Sequence, residues 1–435
     1  MSLVVRGALW IGIFVGVCIA PLVFAAISVT GHGRGFATEF SVALGFVGLA
    51  LMGLEFALVA RFRSVAAPFG TDALVQFHRQ IGLVGLAFVL IHVGLSADWG
   101  QVLEFGSETP WRVWFGAIST AALLALIASS LWRVRFRLSY EWWHFVHAVL
   151  AVVIIVAALV HIILVDYYVN SLWKQALWVI LTAALVTLLV WVRIAKPLML
   201  RRRPWTIERV TPERGETTTL TIRPDGHPGF RFHPGQYAWI LVDRSPFSLT
   251  QHPFSFSSSG EAQGPIDISI KALGDFTNTV AKLEPGATVY IDGPHGVFSP
   301  DHSEGPGFCL IAGGVGITPM MSMLRAFASR GERRPIILFV ANRTWDGVTF
   351  REELAELTAS LDLRIVHAID DPPPGWEGEH GRVDVELLRR HLPPGADRWQ
   401  YFACGPSPML DAVEHALLAL NVVPDHIHTE RFDWV

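Results

Sequence analysis

FHRQIGLVGLAFVLIHVGL, residues 77–95, is the stretch from which the rest of the chain can be read. It is long and apolar enough for the ~30 Å hydrocarbon layer of a bilayer, yet carries His78 and His92. Fourteen residues of helix turn through about 1400°, some 40° short of four full turns, so the two imidazoles share a face about 21 Å apart. WHFVHAVLAVVIIVAALVHIILV, residues 143–165, repeats the interval with His147 and His161. A single intramembrane histidine serves equally well as interhelical hydrogen-bonding glue or as a ligand. Two matched pairs on alternate spans favour ligation. The two stretches are spans 3 and 5 and run in the same direction, which sets His78 level with His147 and His92 level with His161. Gly82 and Gly85 on one helix, and Ala151 and Ala158 on the other, leave space for a flat ring. The expected arrangement is two stacked b-type haems, each with two histidine axial ligands. His144 lies about 100° off the shared face; it reads as interfacial, with His147 as the ligand of the two. Glu55, inside span 2, reads either as a functional acid or as one snorkelling to the interface.

Apolar runs recur at 7–29, 41–60, 74–95, 113–132, 143–165 and 173–195. An even number of spans puts both termini on one side. Arginines at 61, 63, 133, 135 and 137, with Arg193, Lys196 and Arg201–Arg203, make that side cytoplasmic by the positive-inside rule. The opposite loops carry Glu39, Asp98, Glu104, Glu108 and Asp166. The first run is longer than the apolar core of a secretory leader and reads as a retained span, although Val23-Phe24-Ala25 resembles a cleavage site. The expected location is the bacterial inner (plasma) membrane.

Composition agrees with a chain in two parts. Of 435 residues, 51% are apolar and 17% charged, with net charge −4; about a quarter charged is usual for soluble domains. Residues 1–200 hold 8 acidic and 12 basic side chains, and residues 201–435 hold 30 and 22. A disordered chain, a disulfide scaffold and a single soluble domain are excluded. The acidic second part argues against nucleic-acid binding. Cys18, Cys309 and Cys404 form no CxxC, which excludes a zinc ribbon and a covalent haem attachment.

Between 205 and 300, short runs such as TTTLTIRP, QYAWILV, IDISIKAL and TVYIDG alternate with Gly/Pro turns and predict a small antiparallel barrel. From 308 to 430, FCLIAG, IILFVAN, LRIVHAI and WQYFACG alternate with helical patterns and predict a parallel α/β sheet. Gly313, Gly314 and Gly316 follow a strand and lead through Thr318 and Pro319 into a helix, where a pyrophosphate would sit. Cys404-Gly405-Pro406 ends the last of those strands. His252-Pro253-Phe254-Ser255 combines a flat apolar surface with a hydroxyl, and Gly274-Asp275-Phe276-Thr277 offers a second phosphate-binding turn. Arg343 follows IILFVAN, where it could pair with a 2′-phosphate.

In this order, over residues 35–435, the motifs resemble those of the ferric reductase and NADPH oxidase superfamily of membrane flavocytochromes b. The resemblance implies three parts: a six-helix bis-haem bundle (1–196), an FAD-binding antiparallel β-barrel (197–304) and an α/β NAD(P)-binding domain (305–435). It places His252 by the flavin phosphates, Phe254 and Ser255 against the isoalloxazine, and Gly274, Phe276 and Thr277 at the FAD pyrophosphate. Gly313, Gly314, Gly316, Thr318 and Pro319 would hold NADPH or NADH, with Cys404, Gly405 and Pro406 beside the nicotinamide. Phe432 or Trp434 would shield the flavin. The implied path runs from NAD(P)H through FAD and two haems to an extracytoplasmic acceptor, O2 or a ferric chelate. A quinone or an extracytoplasmic redox protein is the alternative acceptor, and a haem–flavin sensor without turnover is the alternative class. No protein partner is evident.

Overall fold

The computed structural model describes residues 3–27, 34–58, 60, 62, 65, 68–96 and 109–431. The chain divides into two compact units, Met1–Pro197 and Leu198–Val435.

The first unit is helical. Its members are α1 (Leu3–Ala26), α2 (Phe36–Leu58), α3 (Thr71–Ser96), α4 (Trp111–Leu131), α5 (Tyr140–Val165) and α6 (Leu172–Val190). A π-helical turn at Trp191–Ala195 carries α6 on into α7 (Lys196–Arg201). Among the described residues, six helical segments are long and apolar enough to cross a membrane. Helices apolar on all sides suit lipid, which asks for no polar face. The hydroxyl of Ser139 opens α5 by accepting from the Trp142 amide at 3.3 Å, and Asp166, with φ 55°, closes it. α3 packs chiefly on α2, and α5 on α4. Met52, Leu123, Leu126 and Ile154 form a buried cluster at mid-depth.

The second unit opens with six antiparallel strands: β1 (Trp205–Glu213), β2 (Thr217–Pro224), β3 (Tyr237–Val242), β4 (His252–Ser255), β5 (Ile266–Lys271) and β6 (Thr288–His295). Their order is β4-β3-β6-β1-β2-β5, and a bridge from Phe256 to Ile268 draws the two edges together into a barrel. Trp205, Leu220, Phe256, Ile268 and Val289 fill it.

An α/β layer follows: β7 (Phe308–Gly313), α8 (Ile317–Arg330), β8 (Ile336–Thr344), α9 (Arg351–Leu357), β9 (Leu363–Asp371), β10 (Glu379–His380), α10 (Val385–His391), β11 (Gln400–Cys404), α11 (Ser407–Ala419) and β12 (Ile427–Glu430). The order is β10-β9-β8-β7-β11-β12, with every pair parallel. β7 and β11 are buried along their whole length, as apolar strands covered on both faces must be. The chain leaves β7 toward β8 on one side and returns to β11 on the other. The topological switch, where such sheets take ligands, therefore lies between β7 and β11. Barrel and sheet are joined through α8: Arg325 forks onto Glu353 with two bonds of 2.7 Å and donates to the Ser257 carbonyl at 2.8 Å.

Candidate functional site

In the helical unit the four histidines come together in twos. The ring centres of His78 and His147 are 6.2 Å apart, and those of His92 and His161 are 6.4 Å apart. An imidazole nitrogen bonds a first-row metal at about 2.0–2.1 Å with the ring centre roughly 1 Å behind it, so two imidazoles on opposite sides of one ion place their centres about 6 Å apart. Both pairs match that spacing. Among the described residues no three His, Cys, Asp or Glu side chains gather within reach of one ion. A metal held here would take two ligands from the chain.

Hydrogen bonding fixes which nitrogen is offered. Nδ1 of His92 donates to the Ser41 carbonyl at 3.0 Å, and Nδ1 of His161 to the Arg112 carbonyl at 2.7 Å. A carbonyl only accepts, so Nδ1 carries the hydrogen in both rings and Nε2 keeps its lone pair. Ser130 spends its one hydroxyl hydrogen on the Leu126 carbonyl at 2.7 Å, so toward Nδ1 of His147, 3.3 Å away, it can only accept. Nδ1 of His78 lies against the carboxylate of Glu55. His92, His147 and His161 therefore present a bare Nε2, each held by a hydrogen bond on the other nitrogen as metal-bound histidines are, while His78 has the Glu55 carboxylate against its Nδ1.

These partners all lie on the preceding helix. Ser41, Gly45, Gly48, Met52 and Glu55 follow one another at intervals of three or four residues along α2, and each meets α3. A Cβ on Gly45 would lie 3.0 Å from the His92 ring, and one on Gly116 of α4 would lie 3.0 Å from the His161 ring. Gly85 serves this helix crossing: a Cβ there would strike Met52 Cε. Gly82 is open, with Ile127 Cδ1 the nearest atom at 3.9 Å. Of this stripe, Glu55 stands out in the sequence as an acid inside a span, whereas Ser41, Gly45 and Gly48 gain their meaning only where α2 meets α3. His144 faces no second histidine; its Nε2 is 2.7 Å from an Arg193 guanidinium nitrogen.

In the α/β layer the two sequence-distant motifs converge at the switch. A Cβ on Gly316 would fall 2.0 Å from the Cys404 carbonyl oxygen, and one on Gly405 would fall 3.1 Å from Gly313 Cα. A Cβ on Gly313 would meet Met409 Sδ at 2.5 Å and Pro406 Cδ at 3.0 Å. Glycine is what lets the β7 and β11 loops touch. Gly314, with φ +55°, has open space where a side chain would be. No side chain caps α8; its Ile317 amide bonds back to the Gly314 and Val315 carbonyls and Pro319 has no amide hydrogen, so what the turn turns toward an anion is chiefly the positive end of the helix dipole. Thr318 is buried in the first turn, and its hydroxyl has no hydrogen-bond partner among the described residues; Pro319 beside it is also buried. Cys404 is 1% exposed at the tip of β11. Cys309, on β7, is a packing residue whose thiol burial pushes upward in pKa. Arg343 is exposed at the end of β8, two residues beyond the Ala341–Gly313 pairing, and bonds to no other described side chain.

On the barrel, His252 stacks on Phe276 at 4.3 Å and 4° between planes, with Phe254 6.2 Å from Phe276. Pro253 and Ser255 alternate with these rings and are buried. Phe254 and Ser255 thus leave opposite sides of β4. Thr277 turns its hydroxyl into its own loop, where it accepts from the amides of Leu273 and Gly274 at 2.9 and 2.8 Å. Phe432 and Trp434 lie outside the described residues.

Three family models match in sequence along the chain. A ferric reductase like transmembrane component covers 44–158, an FAD-binding domain 204–299, and an oxidoreductase NAD-binding domain 310–415. NADH-cytochrome b5 reductase 1 of Aspergillus terreus is 33% identical over 191 residues, 41% of this chain and 64% of its own length. Its namesake from Lodderomyces elongisporus is 35% identical over 195 residues, 43% of this chain and 64% of its own. The chain thus spans less than two thirds of the length of these relatives. Among solved structures, the cytochrome b5 reductase domain of Ulva prolifera nitrate reductase aligns with TM-score 0.47 and 23% identity, over 53% of this chain and 97% of that one.

Proposed function

We propose that this chain, which has the domain architecture of the ferric reductases and NADPH oxidases, takes electrons from NAD(P)H and passes them across the membrane to an acceptor on the far side. The observation that carries the reading is the two facing imidazole pairs, with ring centres 6.2 and 6.4 Å apart, three of the four rings hydrogen-bonded at Nδ1 and the fourth, His78, set against Glu55. With two ligands from the chain, the remaining positions on each metal would come from a planar macrocycle, and the open Gly82 face suits one. The two imidazoles of each pair would hold a haem, and that group would supply one-electron transfer to O2 or a ferric chelate without binding the acceptor.

FAD and haem supply the exchange between a two-electron donor and one-electron carriers. The chain's own residues place the participants. The N-terminal end of α8, Gly314 and the Thr318 hydroxyl receive the NAD(P)H pyrophosphate. Cys404, Gly405 and Pro406 bound the nicotinamide, Arg343 receives the 2′-phosphate of NADPH, and the His252–Phe254–Phe276 surface receives the flavin. His78 and His147 hold the haem on the side of the arginine-rich loops; His92 and His161 hold the one opposite. NAD(P)H leaves as NAD(P)+, with its proton released on the cytoplasmic side and two single electrons delivered outside.

The test is haem and turnover on detergent-purified protein. Two bis-imidazole haems per chain are expected, together with NADPH oxidation that is slow under argon and fast with air or ferric chelate. Dismutase-sensitive dye reduction in air alone marks an oxidase, and ferric chelate reduction under argon a metalloreductase. Protein without haem would overturn the reading.

A further inference from the structure

The four imidazoles are anchored in the same way but not by the same chemistry. His92 and His161 are held by backbone carbonyls and His147 by a serine hydroxyl, all neutral. His78 alone leans on an acid, Glu55. Glu55 is 8% exposed on an otherwise apolar stretch of α2; among the described residues both its carboxylate oxygens are buried without a hydrogen-bond partner, and the charged or titratable side chain they lie against is His78. A buried carboxylate is costly in such a place unless paired, and here the group beside it is the ligand histidine.

We propose that Glu55 orders the two redox centres by making the His78–His147 site the lower in potential. The inference rests on the reading that each pair holds a haem iron. A carboxylate accepting the Nδ1 hydrogen makes the imidazole a stronger donor through Nε2. It also brings negative charge toward one iron only. Both effects favour the oxidised metal, and second-shell hydrogen bonding is an established lever on haem potential. One electron leaving the His78–His147 iron then moves downhill to the His92–His161 iron, which is the direction export requires. Glu55 touches no substrate and acts as a positioning residue through His78.

Redox titration of the purified holoprotein, followed by visible absorption, tests this. Two one-electron steps are expected, the lower being the one that persists in His92→Ala protein. Glu55→Gln should raise the lower step by at least tenfold in equilibrium constant, about 59 mV for one electron, and leave the upper step in place. Should Glu55→Gln lose haem, Ser130→Asp serves instead: it brings a carboxylate to His147 of the same pair and should shift the lower step downward. Lower steps that stay put, or a shift confined to the upper step, would overturn the proposal alone. Wild-type protein lacking bis-imidazole haem would overturn the underlying reading and this proposal with it.

Discussion

Hydrogen bonds fix the proton position on three of the four paired rings. Two backbone carbonyls and a serine whose hydrogen is already committed leave no alternative tautomer for His92, His161 and His147. At the nucleotide crevice the corresponding detail is the absence of a Cβ. Gly316→Ala would drive a methyl into the Cys404 carbonyl oxygen, backbone against backbone. Overpacking of this kind costs about 1–3 kcal/mol. The variant should lose several degrees in melting temperature and bind NAD(P)H more weakly, measured by calorimetric scan and by KM. Arg343 is solvent-exposed and bonds to no other described side chain, so its removal should leave the fold alone. A charge-assisted bond is worth about 1.5–3 kcal/mol, so Arg343→Ala should cut kcat/KM for NADPH ten- to a hundredfold and leave NADH unchanged. Equal losses with both cofactors would remove Arg343 from the 2′-phosphate site.

Helix pairs, rather than helices, are the working elements of the membrane unit. α2 docks on α3 and α4 on α5, and in each hairpin the first helix supplies the anchors and the glycine that the second helix's histidines need. Gly116→Ala brings a methyl within 3.0 Å of the His161 ring and should disturb the His92–His161 centre alone. Spectra should show one altered haem and one native; two native haems would contradict the packing. In the α/β layer, Glu332 closes the turn between α8 and β8. It accepts from the Arg333 and Arg334 amides at 2.9 and 3.0 Å and from the Arg334 guanidinium, which holds its carboxyl down to about 2. A depressed carboxylate stabilises the fold fully above its unfolded value of 4.5 and loses that contribution as pH falls through about 2. The stability gap between wild type and Glu332→Gln should be constant above pH 4.5 and close toward pH 2 in chemical denaturation.

Elements with a periodic or glycine-marked signature were legible in the chain, and those made by pairing were not. The histidine interval, the six apolar runs and the strands ending at Gly313 and Cys404 could be read directly. β4 has only four residues, one of them Pro253, and β12 holds three polar residues among four. Such strands exist because a neighbour completes their ladder, so local pattern does not announce them. The anchors of the histidines escaped for a related reason. Ser41 and His92 lie 51 positions apart, and Arg112 and His161 lie 49 apart, and two of the four bonds use backbone oxygen, which no side-chain motif records.

For the whole molecule, the uneven charge along the sequence coincides with the division of the chain at Pro197. The charged unit carries the crevice and surfaces suited to nucleotide and flavin; the apolar unit carries two facing histidine pairs, His78 with His147 and His92 with His161. The central claim is that electrons cross the bilayer between them. It is tested most directly in sealed vesicles that enclose a membrane-impermeant ferric chelate, with the nucleotide-binding unit outside and NADPH added to the medium. The enclosed chelate should be reduced by wild type but not by His92→Ala, while both oxidise NADPH with a soluble dye outside. Reduction confined to acceptors in the medium, with none inside, would contradict the account.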